Sequence, residues 1–203
     1  MLHRETVAPG TFRILELISS IPEFEDFSLA GGAALSLQIG HRISVDLDFF
    51  GNREFTTNEI LNLLADLKPL IISQSKNILI LNVQNVKVDF VNYRYPLISK
   101  PITEGAICLL STPDIAAMKL AAIAGRGRKR DFYDIYFLLR QFSLSQIIGF
   151  YNQKYEDGSE MMVARSLTFF DDADSDEPPR LLNSNIYWQD VKIKIMNEVK
   201  MRY

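Results

Sequence analysis

Gly31-Gly32-Ala33-Ala34-Leu35, nine further residues, and then Val45-Asp46-Leu47-Asp48-Phe49 form the densest signal in the chain. Ser44 to Phe50 alternates as a strand does. Val45, Leu47 and Phe49 take one face, and Ser44, Asp46, Asp48 and Phe50 the other. Carboxylates two residues apart on one face repel each other unless a cation lies between them. Hard oxygen ligands of this kind suit Mg²⁺, which takes one or two carboxylates together with substrate phosphates. The paired glycines let backbone N–H groups approach a phosphate at the start of the following helix, Ala33 to Ile39. The plain alternative is a glycine turn followed by a surface strand with two solvated aspartates.

Working outward, Asp89 stands mid-strand in Val86-Lys87-Val88-Asp89-Phe90-Val91, where an unpaired buried carboxylate would be costly. If that strand neighbours the Asp46/Asp48 strand, three carboxylates converge. Pairing of Asp89 with Lys87 is the alternative. Strands are also expected at Leu70–Ser73 and Ile78–Val83, with Gln84-Asn85 as a turn. Helices are expected over Thr11–Ser20 and from the capping box Thr56/Glu59 to about Leu67.

From Thr112 the pattern turns helical, with Thr112 as N-cap, Gly125 and Gly127 as interruptions, and further helices over Arg130–Gln141, from Ser143 and from about Tyr187. The order predicts an α+β (mixed α/β) protein, with an α/β core over 1–110 and a helical region over 111–203. The acidic run Asp171 to Glu177, next to Pro178-Pro179, reads as a solvated loop. Trp188 reads as core, His41 as packing near the glycine turn, and Cys108 as a buried, inert thiol.

A second signal is Lys119 on an apolar helix, seven residues before Arg126 and so two helical turns along nearly one face. Arg126, Arg128, Lys129 and Arg130 concentrate positive charge at a helix start, where the dipole prefers anions, so phosphate binding fits better than dipole complementation. A solvated basic turn paired to Asp131 and Asp134 is the alternative.

Composition sets the frame. The chain has 203 residues, 47% hydrophobic and 23% charged, with net charge −3, which excludes disorder and a coat of positive charge for bulk nucleic-acid binding. A single cysteine excludes an internal disulfide framework or a cysteine-cluster zinc site. The most apolar helical stretch is short and carries Lys119, so no membrane span is expected, and without an apolar leader a cytoplasmic location is expected.

Taken together, the glycine turn, Gly40-His41-Arg42, the Ser44–Phe50 strand, the Lys119–Leu138 pattern and the segments Phe170–Ala173 and Tyr187–Lys192 resemble the AbiEii/AbiGii-type nucleotidyltransferases. These are toxins of bacterial toxin–antitoxin and abortive-infection systems. The resemblance implies a DNA polymerase β-like nucleotidyltransferase core with a mixed sheet, and a helical half closing the nucleotide cleft. It implies transfer of a nucleoside monophosphate from an NTP to an RNA, such as a tRNA end, or to a protein, with Mg²⁺ or Mn²⁺ and with a cognate antitoxin as partner. Asp46 and Asp48 match the family's metal-binding pair and would hold the metal and take part in catalysis, and Asp89, if its strand converges on theirs, would join them as metal ligand or proton acceptor. Gly31, Gly32, Ser44, Lys119, Arg126 and Arg130 would bind phosphate, with Lys119, Asp131 and Asp134 also catalytic. Ala33 departs from the serine or threonine that family members often carry, and Arg128 from a frequent lysine. A catalytically inactive protein that binds nucleotide or antitoxin is the alternative.

Overall fold

Apolar and polar residues alternate most cleanly in two segments, and both become strands of one sheet. The computed structural model describes all 203 residues. Its strands are β1 (Ser28–Ala30), β2 (Leu47–Gly51), β3 (Leu70–Gln74), β4 (Ile78–Val83), β5 (Val86–Asn92), β6 (Ile102–Glu104) and β7 (Ile107–Leu109). They form a seven-stranded mixed sheet in the order β3-β4-β5-β2-β1-β7-β6. The chain divides into two compact units. One is Met1–Pro96 with Lys100–Leu110, and the other is Leu97–Ser99 with Ser111–Tyr203.

In the first unit β2 runs antiparallel to β1 and parallel to β5, with Leu47, Asp48 and Phe49 opposite Val88, Asp89 and Phe90. A period of two then fixes the faces. Leu47, Phe49, Val88, Phe90 and the β4 residues Leu79 and Leu81 are buried. The Phe90 ring meets those of Phe24, Phe27 and Phe49, with centroids 5.0, 5.5 and 5.4 Å away. Side chains of this size contribute about 1.5–3 kcal/mol each when fully buried. The opposite face carries Asp48, Lys87, Asp89 and Ile80. Gln84 and Asn85 both have positive φ, the conformation of the tight turn joining β4 to β5. Helices α1 (Pro9–Ser19) and α2 (Gly31–Ile39) and the short α3 (Thr57–Leu63), with its Thr56/Glu59 capping box, complete the unit.

Several expectations need correction here. The central strand starts at Leu47, not Ser44, and Val45 is 58% exposed. Ser44 is drawn away to bridge Val7, donating its N–H to the Thr6 carbonyl, so residues 45 and 46 precede β2. The hairpin of β6 and β7 was not expected, because three-residue strands leave little alternation to read. Cys108 lies on β7 and is half-buried, with Sγ 3.2 Å from Ser28 Oγ.

The second unit is helical: α4 (Thr112–Arg126), α5 (Lys129–Leu138), α6 (Leu144–Lys154), α7 (Glu160–Ser166), α8 (Asp171–Asp174) and α9 (Trp188–Arg202). Its core gathers Ile115, Leu120, Phe132, Ile135, Leu138, Ile147, Ile148, Val191 and Ile195. Ser111, not Thr112, caps α4, accepting from the Asp114 N–H. Gly125 stays inside the helix, and Gly127 ends it at φ +54°, a conformation that suits glycine.

The acidic run is not a free loop. Asp174 accepts from Trp188 Nε1 and Lys192, while Asp176 accepts from Arg128 and from the Lys129 backbone N–H. Burial raises Asp176 and these donors outweigh it, holding its carboxyl below the usual value. Trp188 packs against Phe132, Tyr133 and Phe170. Deeper still, Asp114 and Lys154 form an ion pair with both side chains fully buried. No helix is long and apolar enough to cross a membrane.

Candidate active site

The site starts from a backbone constraint. Gly31 follows β1 directly and opens α2 with φ +64°, which L side chains rarely adopt. A Cβ there would fall 2.2 Å from Asp48 Oδ2, so the glycine lets the main chain lie against that carboxylate. A Cβ on Gly32 would fall 2.3 Å from Arg42 Nη2 and 3.2 Å from Ser44 Oγ. Ala30, at the N-cap, supplies no side-chain acceptor to the first turn of α2. The turn, Asp48, Arg42 and Ser44 therefore share one small region. Ala33 is fully buried in α2, where it packs as core.

Across the sheet the register builds a row. Ala30 is opposite Asp48, Asp48 opposite Asp89, and Asp89 opposite Ile80. Directly paired residues on adjacent strands project to the same face, so the Asp48 and Asp89 side chains are neighbours. Asp46 precedes β2 by one residue and is partly exposed. Asp89 accepts from Lys87 Nζ at 2.5 Å through Oδ2, while its Oδ1 is buried without a hydrogen-bond partner. No three His, Cys, Asp or Glu side chains are gathered closely enough to hold a metal ion by themselves. Asp48 and Asp89 are thus neighbours, while the expected gathering of all three aspartates around one ion is not seen, because Asp46 lies outside β2. An open set of hard oxygens of this kind, with Asp48 lying against the Gly31 turn, fits an ion that draws other ligands from water and substrate phosphates.

Within the second unit, Lys119, Arg126, Asp131 and Asp134 come together. Lys119 is only 5% exposed and bridges Asp131 Oδ1 at 2.8 Å and Asp134 Oδ2 at 2.5 Å. Arg126 adds Nε to Asp131 Oδ2 at 3.0 Å, yet leaves 51% of its side chain exposed. Burial raises Asp131, but the Lys119 and Arg126 charges outweigh it and hold the carboxyl below its usual value. Arg130 lies at a cavity of about 330 Å³ with Arg128, Asp176 and Glu177. The apolar helix therefore carries a lysine because two buried carboxylates await it from α5.

Arg42 was not among the expected site residues. It is buried beside Gly32 and Ser44, and Gly40-His41-Arg42 was the only hint of it.

A mixed sheet with a glycine turn opening a helix against paired strand carboxylates is the arrangement of a nucleotidyltransferase. The fold is shared with the nucleotidyltransferase toxin MenT4 of Mycobacterium tuberculosis, which aligns over 94% of this chain and 82% of its own with a TM-score of 0.61 and 14% identity. JHP933 from Helicobacter pylori aligns over 96% and 92%, with a TM-score of 0.56 and 15% identity. Protein aq_aa25 of Aquifex aeolicus (strain VF5) is 35% identical over 200 residues, 92% of each chain. The family described as nucleotidyl transferase AbiEii toxin, Type IV TA system, matches residues 13–200. The chain belongs to this AbiEii family of nucleotidyltransferase toxins.

Proposed function

We propose that the chain transfers a nucleoside monophosphate from an NTP to an RNA acceptor, such as a tRNA end, with a divalent cation at Asp46 and Asp48 and Asp89 beside them. The observation that supports it most is Asp48, held against the glycine turn on one side and in register with Asp89 on the other. Mg²⁺ or Mn²⁺, when bound, neutralises triphosphate charge and aligns the phosphorus with the acceptor oxygen. The chain's own groups then have distinct tasks. Backbone N–H groups at Gly31 and Gly32, with Ser44 Oγ near them, bind phosphate oxygens. Asp89 is a candidate to accept the acceptor hydroxyl proton through Oδ2, the oxygen that Lys87 holds. In the second unit, Arg126 and Arg130 are proposed to bind phosphate, and Lys119, Asp131 and Asp134 to hold the basic block together. The family's toxin–antitoxin setting supports a cognate antitoxin as partner and a cytoplasmic location.

The test is incubation with each labelled NTP, Mg²⁺ and total RNA. The parent is expected to label RNA and the Asp48→Asn variant to leave it unlabelled with its fold intact. Undiminished labelling by Asp48→Asn would overturn the assignment, and label on protein alone would move the acceptor. Arg126→Ala and Arg130→Ala are each expected to weaken NTP binding by about 10- to 150-fold, the equivalent of a charge-assisted contact worth about 1.5–3 kcal/mol.

A further inference from the structure

Lys87 has no part in the roles assigned so far, yet its ammonium forms an ion pair with the third carboxylate. It sits two residues before Asp89 on the same face of β5, with Nζ 2.5 Å from Asp89 Oδ2. The lysine side chain is 40% exposed while that of Asp89 is 15% exposed, so the ammonium approaches from the open side. The other oxygen, Oδ1, is closed off from solvent. Neither oxygen of Asp89 therefore stands ready for a metal ion. One is taken by an ammonium and the other is shut in, in keeping with the lack of a closed three-carboxylate cage. The register carries this further. Lys87 and Asp46 each lie one residue before the paired Val88 and Leu47, so the lysine charge belongs to the same end of the carboxylate row.

We propose that Lys87 is a positioning residue acting as an internal counter-cation. It holds Asp89 in place and delays its use as a metal ligand, so that Asp46 and Asp48 bind the first divalent ion and Asp89 takes part only once the ammonium has been displaced. Building on the metal assignment to Asp46 and Asp48, this adds an order of loading and a residue that sets it. The physical reason is electrostatic. A fixed ammonium beside the row repels an incoming divalent cation and competes with it for the same oxygen, a penalty that grows as solvent is excluded.

The experiment is a titration of the whole protein with Mn²⁺ alone, followed by electron paramagnetic resonance of the free ion and by calorimetry. Lys87→Met is expected to bind Mn²⁺ about tenfold more tightly overall, or to gain a second ion, because repulsion is removed and an oxygen released. Lys87→Arg, which keeps the charge, is expected to titrate like the parent. Asp48→Asn is expected to lose the binding seen in the parent. Mn²⁺ binding by Lys87→Met that is unchanged or weaker than the parent's, while Asp48→Asn loses it, would overturn the counter-cation role and leave the metal assignment standing. If the parent and Asp48→Asn bind alike, the metal assignment falls and the role of Lys87 with it. Lys87 is partly exposed, so its variants test electrostatics rather than folding, and matching circular dichroism spectra verify this.

Discussion

Gly31→Ala would set a methyl carbon 2.2 Å from Asp48 Oδ2, at a backbone φ of +64°. The left-handed conformation costs an L residue about 1–2 kcal/mol. On the proposed role of Asp48 the larger effect is on chemistry, since that carboxylate must move and misplacement by an ångström lowers rates about 100-fold. RNA labelling by Gly31→Ala is therefore expected to fall by about that factor, with only a modest drop in melting temperature. Gly125 is the control: a Cβ there meets nothing within 4 Å, and it lies inside α4. Gly125→Ala should stabilise the protein by about 0.5–1 kcal/mol in urea unfolding without changing activity. At this scale the sequence was informative where residue type alone carries the meaning, as with paired glycines and aspartates two apart. It was silent on Arg42, because a buried arginine against Gly32 is made by folding between positions ten apart. The Lys87–Asp89 pair was legible, since residues two apart on a strand always share a face.

Elements are held by charges as well as by apolar stripes. Asp114 on α4 accepts from Lys154 of α6 at 2.7 Å, from Ser111 Oγ at 2.6 Å and from the Ile98 and Ser99 N–H groups. Lys154→Met leaves a buried carboxylate without its counter-ion and is expected to cost about 3–5 kcal/mol in urea unfolding. Adding Asp114→Asn should recover part of that loss. For both Asp114 and Asp131 burial pushes the carboxyl up, yet partners outweigh it and leave the value below the usual 3.8. A carboxyl lowered in the folded state binds protons more readily when unfolded. Its contribution is present above pH 3.8 and fades as the pH falls through the lower folded values. The melting temperature should therefore drop as pH falls below about 4. The gap between Asp131→Asn and the parent should narrow over the same range, and a constant gap would count against this account. The sequence reading placed α4, α5 and α6 closely, because each has a capping residue or an apolar stripe. It lacked α7, whose single buried residue is Val163 and whose Met161 and Met162 face solvent, so no stripe exists to be read.

At the scale of the whole chain, the division between Leu110 and Ser111 is not a single crossing. Leu97–Ser99 belongs to the second unit while the residues on both sides of it belong to the first. No pattern in the sequence marked this, because a three-residue segment is assigned by the carboxylate it meets and not by its own composition. A fragment beginning at residue 111 lacks the Ile98 and Ser99 amides that donate to Asp114 at 2.9 and 3.2 Å. A 97–203 fragment should be more stable than 111–203 by about 1.5–3 kcal/mol per hydrogen bond to that charged group, measured by urea unfolding monitored by circular dichroism. Equal stabilities would show that the amides contribute nothing. The sheet has a similar long reach, because Leu29 of β1 pairs with Leu109 of β7, 109 − 29 = 80 residues later. During synthesis at about 5–20 residues per second, that gap corresponds to about 4–16 seconds on the ribosome. For that time one edge of β1 has no strand beside it, and Asp48 and Asp89 are both present only in its last part, once β5 has been made. In that last part the nascent chain carries the paired strands β2 and β5 next to an open edge, which makes it the interval in which a holding chaperone has most to protect.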